Sequence, residues 1–183
     1  MVEIAMKIAS RRAVWGSVLS LLMLLGVAGC YTSKPKLPSN AKSIALPVFG
    51  NKTYHDDYTR RLEVEVSESV RKAFLENGML KVLGREEADL ILEGDVIRMD
   101  RVTLRADKFG DPENVQLLIK VRISLYDVKE AKYVFRDVIL NNSTDHTESG
   151  VYNMNRGENE VLGRTKALED VGRNIARRVL DLW

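Results

Sequence analysis

The sequence predicts an α+β fold, a two-layer sandwich in which two helices pack on one face of a mixed sheet of four or five strands. Three observations predict it. Val115, Leu117, Ile119, Val121, Ile123 and Leu125 alternate with Gln116, Lys120, Arg122 and Ser124, the period of a strand with one buried face. Leu62, Val66, Val70, Ala73 and Phe74 recur at helical spacing, and near the other end so do Leu168, Val171, Ile175, Val179 and Leu182. The two helical patterns bracket a strand-rich middle. At 183 residues, 45% hydrophobic and 30% charged, the chain holds enough apolar material for one packed core. A formal charge of +2 is too small to draw nucleic acid without a basic stripe.

The first residues read as a targeting segment. Lys7, Arg11 and Arg12 precede a charge-free run of 17 residues from Ala13 to Gly29, centred on Leu19, Leu21, Leu22, Met23, Leu24 and Leu25. That length lies at the lower limit for spanning a hydrocarbon core of about 30 Å, and the run ends in small residues. A cleaved signal over residues 1–29 is therefore expected, in preference to a membrane-spanning helix. The run Val27-Ala28-Gly29-Cys30 closes it and resembles the lipobox of bacterial lipoproteins. That resemblance implies diacylglycerol on the Cys30 thiol, cleavage before it and acylation of the new amino terminus. Cys30 is the only cysteine, so no disulfide or catalytic thiol remains. Cleavage leaves 154 of the 183 residues and removes Glu3, Lys7, Arg11 and Arg12, which balances acidic and basic side chains. Two or three acyl chains anchor such a chain without spanning the membrane. Tyr31 stands where this class carries aspartate for inner-membrane retention in enteric bacteria, so a periplasm-facing position on the outer membrane is expected.

Residues 30–42 contain Pro35, Pro38, Ser33, Ser39 and Asn40, the composition of a lipidated tether, and residues 43–183 form a single domain. Ser43 to Phe49 is a short apolar run that predicts a buried first strand, with Pro47 marking an edge or bulge near its end. From Tyr58 a helix of about 18 residues is expected, capped by Asp56 or Asp57 and stopped by Asn77-Gly78. Leu80 to Leu83 and Ala88 to Met99 read as strands, the second with a bulge at Gly94. Val115 to Leu125 and Lys132 to Leu140 follow as strands joined through a hairpin at Asp127 to Ala131. The last helix runs from Glu158 to Trp183. Thr103 to Asn114 and the polar segment Asn141 to Gly157 remain as long loops, where ligands and partners are commonly met.

Residues for covalent chemistry do not gather in the sequence. His55 and His146 sit in no metal-binding pattern, and His55-Asp56-Asp57 at a helix entrance reads as capping. Ser149 lacks the glycines of a nucleophile elbow, and there is no phosphate-binding glycine loop. Glu86, Glu87 and Asp89 read as solvated carboxylates beside a turn. Asn51-Lys52-Thr53 and the overlapping sequons at Asn141 and Asn142 read as structural, with Asn51 and Thr53 organising the turn before the first helix. The feature that suggests binding is a basic cluster, Arg98, Arg101, Arg105 and Lys108, interleaved with Asp95, Asp100, Asp107 and Asp111. It reads either as a solvated strand edge or as a phosphate-recognising surface for an anionic lipid.

The run Ile44-Ala45-Leu46-Pro47-Val48-Phe49-Gly50-Asn51-Lys52-Thr53 after a lipobox, then a helix, then Ala88-Asp89-Leu90-Ile91-Leu92-Glu93-Gly94, resembles the LptE family of lipopolysaccharide-assembly lipoproteins. The resemblance spans essentially the whole mature chain. It implies an outer-membrane lipoprotein that plugs the LptD β-barrel, supports its assembly and helps lipopolysaccharide reach the outer leaflet, with no enzyme activity, cofactor or metal. The basic cluster would then bind the lipopolysaccharide. The first block is also similar to activators of peptidoglycan synthases and to the curli secretion channel family. The alternative is therefore a periplasmic lipoprotein that regulates a peptidoglycan synthase or belongs to another outer-membrane secretion complex.

Overall fold

The computed structural model describes residues 41–53, 59–143 and 149–182. Its strands are β1 (Ser43–Ala45), β2 (Gly50–Asn51), β3 (Lys81–Leu83), β4 (Leu90–Ala106), β5 (Pro112–Asp127), β6 (Lys132–Asn141) and β7 (Val151–Asn153). The helices are α1 (Leu62–Asn77) and α2 (Glu160–Leu180), with a short 3-10 turn at Met154–Arg156. All the strands join one sheet of order β3-β1-β4-β5-β6, with β2 added to β4 and β7 added to β5. The α+β class holds, and the described residues form seven strands where four or five were expected. The additional strands have two and three residues, too short to carry a readable period.

The expected first strand divides in two. Pro47 cannot donate to a ladder, so β1 ends at Ala45 and pairing resumes at Gly50, where β2 joins β4 beside Asp95 and Val96. β1 and β2 run parallel to β4, whereas β4, β5, β6 and β7 pair antiparallel. The expected bulge at Gly94 is also corrected. Gly94 pairs regularly with Ile123, and the register shift falls between Val96 and Arg98. Glycine is needed at 94 because a Cβ there would come within 2.8 Å of the Phe49 ring.

Helix α1 buries Leu62, Val66, Val70, Ala73 and Phe74 and stops at Gly78, whose φ of 71° only glycine adopts without strain. Its N-cap is Arg61 in the left-handed region with no side-chain cap, and Asp56 and Asp57 lie outside the described residues. Helix α2 is capped by Asn159, whose side chain accepts from Leu162 N at 3.1 Å. The helices meet at a close crossing. A Cβ on Gly172 would lie 2.6 Å from Ser69 O, and the Ser69 hydroxyl donates to Leu168 O.

The core lies between the helical layer and one sheet face. Val66, Val70, Phe74, Val115, Leu117, Ile119, Val121, Ile123, Leu125, Val171 and Ile175 belong to one buried cluster, as the two periodicities require. Asp89, expected as a solvated carboxylate, accepts instead from Lys42 N, Ser43 N and the Ser43 hydroxyl at 2.7 to 3.0 Å. The Lys42 N–H and the Ser43 hydroxyl hold its pKa below the usual carboxylate value. Asn51 organises the entry to α1 as expected, donating to Thr59 O and Glu63 and accepting from Thr53.

Candidate functional site

The four residues of the basic cluster stand on one element, the β4–β5 hairpin. The segment expected as a loop from Thr103 to Asn114 is mostly strand, because β4 continues to Ala106 and β5 begins at Pro112. Only five residues turn between them. The Asp107 carboxylate accepts from Phe109 N and Asp111 N at 2.8 and 2.9 Å, and Asp107 N donates to Asp111 O at 2.9 Å. This turn is internally bonded, and Gly110 supplies the positive φ of 93° that it requires.

Register distributes the cluster over both faces of the hairpin. Met99 pairs with Ile119 on the core side, whereas Arg98 pairs with Lys120 on the face opposite α1 and α2. Arg101 pairs with Leu117 and returns to the helical side, where its guanidinium lies 3.6 Å from Glu160 in the first turn of α2. Arg98 bonds Asp100 at 2.6 Å and Arg105 bonds Glu113 at 3.1 Å. Lys108 stands 4.9 Å from the centre of the Phe109 ring. Arg98 and Arg105 are separated by roughly 23 Å of strand at the usual rise per residue. The cations thus share an element without converging on one point.

Apolar groups at the same end went unread in the sequence. Phe109 is 77% exposed, and Val102 and Leu104 are exposed on β4. Met154, Val161 and Leu162 are exposed where the 3-10 turn leads into α2. The polar segment from Asn141 to Gly157, expected to be without structure, contains β7, which pairs with Asn114 to Gln116. Tyr152 of β7 is buried beneath Gly163, and burial pushes its phenol pKa up against the opposing pull of Arg101. Glu158 accepts from Asn153 N at 2.7 Å, which holds its carboxyl below the usual range.

Cys30 lies outside the described residues. Among the described residues, no group of three His, Cys, Asp or Glu side chains could hold a metal ion, and no helix is long and apolar enough to cross a membrane.

A two-helix layer on a mixed sheet, with a hairpin that carries cations and exposed apolar groups, defines a two-layer α+β domain. The chain belongs to the LptE family, described as lipopolysaccharide-assembly, whose model matches residues 41–182. Solved structures resemble it at low identity. The hypothetical protein CT253 from Chlamydia trachomatis has a TM-score of 0.51 at 11% identity, covering 77% of this chain and 95% of that one, a likeness of fold alone. PelC from Paraburkholderia phytofirmans, a dodecamer, has a TM-score of 0.46 at 14% identity, covering 79% and 93%. Uncharacterized lipoprotein B from Nitrosomonas europaea has a TM-score of 0.45 at 13% identity, covering 82% and 88%. No curated protein matches the chain.

Proposed function

We propose that this chain is an outer-membrane lipoprotein, anchored through acyl chains on Cys30, that plugs an LptD-type β-barrel and helps deliver lipopolysaccharide to the outer leaflet. The observation that carries this reading is the family match over residues 41–182, which takes in every described element from β1 to α2. Residues 1–29 are the signal, 30–42 the tether and 43–183 the working domain. The domain acts by non-covalent contact with the barrel and the lipid.

Geometry supports a division of labour along the sheet. The tether enters at Ala41, beside the first residues of β4, and the hairpin turn lies at the other end of that 17-residue strand. At about 3.3 Å per residue, the turn stands roughly 50 Å from the point where the tether enters. Arg98, Arg101, Arg105 and Lys108 line this projecting arm and meet the phosphorylated head of the lipid, the three arginines exchanging their internal carboxylate partners for phosphate.

Co-purification from detergent-solubilised outer membrane tests the reading. A large β-barrel recovered with the chain is the expected result. Recovery of a peptidoglycan synthase without a barrel would replace it with the regulatory alternative.

A further inference from the structure

The arginines of the hairpin are matched to carboxylates, but two arginines on the sheet face opposite α1 and α2 are not. Arg122 on β5 and Arg136 on β6 are exposed, and among the described residues neither guanidinium has a carboxylate within 4.0 Å. The acids that could neutralise Arg122 are turned away. Asp95 is its direct cross-strand neighbour, yet the Asp95 carboxylate leans over Gly50, where a Cβ would collide with it. Glu93, one pair further along β4, is held by Arg85 at 2.9 Å. Asp100 is shared between Arg98 and Lys120. Asp137 remains as the acidic neighbour of Arg136 in sequence.

The same face carries two paired rings. Tyr126 and Tyr133 meet edge to face with centroids 5.1 Å apart, and the Arg136 guanidinium lies 4.4 Å from the centre of the Tyr133 ring. Ile139, the partner of Arg122 on β6, is 57% exposed. Tyr126 and Arg122 are four residues apart on one strand face, a span of about 13 Å. The ring and the guanidinium hold each other in place, so the donors of Arg136 are oriented before any ligand arrives.

We propose that this face of β5 and β6 is a docking platform for a phosphorylated oligosaccharide, the phosphates taken by Arg122 and Arg136 and the sugar rings laid on Tyr133 and Tyr126. The proposal rests on the lipopolysaccharide reading above and assigns the sugar head of that lipid a second contact, away from the hairpin. Unpaired positive charge selects an anionic occupant, and guanidinium geometry selects phosphate. Strand addition from a protein partner is disfavoured along β6. Its register shifts twice against β5, and Asp137 has a φ of 53°, so the free edge is bulged. The occupant therefore engages side chains.

The test uses the full mature lipoprotein in detergent micelles, with deacylated phosphorylated core oligosaccharide as the probe and its dephosphorylated form as the control. R122E/R136E should weaken binding of the phosphorylated probe on the order of tenfold to a hundredfold, with an unchanged melting temperature. Y133A should weaken both probes. Equal binding of the phosphorylated probe by R122E/R136E and wild type would overturn the platform, whatever R101E/R105E does. Barrel co-purification distinguishes the two readings. If R122E/R136E still recovers the barrel and binds the probe normally, the platform fails and the assembly function stands. Loss of the barrel in that variant would make this face a protein interface and also overturn the platform.

Discussion

The side-chain amide of Asn142 occupies a place in the backbone ladder of β5, accepting from Ile119 N at 2.7 Å and donating to Leu117 O at 2.9 Å. On that side of β5, β6 pairs as far as Lys120 and β7 starts at Gln116, which leaves Leu117 to Ile119 without a strand neighbour. Asn142 is fully buried and fills the gap, while Leu117 N donates to Gly150 O. Asn174 Nδ2 holds the same corner through Asn141 O and Asn142 O at 2.9 and 3.2 Å.

Asn142→Leu should therefore destabilise the domain by about 2 to 6 kcal/mol, because a buried N–H and a buried carbonyl would each lose a partner at roughly 1 to 3 kcal/mol. Denaturant unfolding measures it. A change within 0.5 kcal/mol would mean that backbone or water replaces the amide.

Acid should loosen the β1 end of the sheet through Asp89. Its folded pKa is depressed by the Lys42 N–H and the Ser43 hydroxyl, so the stabilisation is complete above the unfolded value of about 3.9 and is lost as pH falls through the lower folded value. Asp89→Asn should remove about 1.5 to 3 kcal/mol at neutral pH and flatten the acid limb of the stability curve. An unaltered acid limb would assign that limb to other carboxylates.

Phe74 is 1% exposed at the last turn of α1 and packs in the shared core. Phe74→Ala should cost about 3 to 5 kcal/mol, a large part of a domain's usual 5 to 15, and lower the melting temperature accordingly. Calorimetry on the mature chain checks it, and an unchanged melt would contradict the packing.

Mass spectrometry of the mature amino terminus should find an acylated Cys30. A chain that still begins at Met1, or an unmodified thiol, would remove the anchor from the proposed function. Cys30→Ala should leave the melting temperature unchanged, because the tether precedes the core elements.

Arg101→Glu with Arg105→Glu should weaken lipopolysaccharide binding at low salt, and added salt should weaken wild-type binding too, since screening acts over about 8 to 10 Å. Equal affinity in the double variant would take the hairpin arginines out of lipid recognition. Loss of the barrel complex instead would move them to the partner interface.

The sequence by itself determined the α+β class, the central strand and the two helix faces. Val115 to Leu125 and the stripes from Leu62 to Phe74 and Val171 to Val179 carry periods that only one secondary structure can bury. It also determined that Asn51 and Thr53 would shape a turn, because short polar side chains bond nearby backbone. Tertiary structure alone decided the rest. β2 and β7 exist only as partners of β4 and β5, since two or three residues have no stable pairing of their own. Which arginines are neutralised is equally invisible along the chain: Arg101 meets Glu160, a residue 59 positions away, while Asp95 turns toward Gly50 and leaves Arg122 unmatched. Strand register and bulges set those distances. The charge pattern supplies candidates, and the ladder chooses among them, because a side chain's partner depends on which face and which row its strand presents.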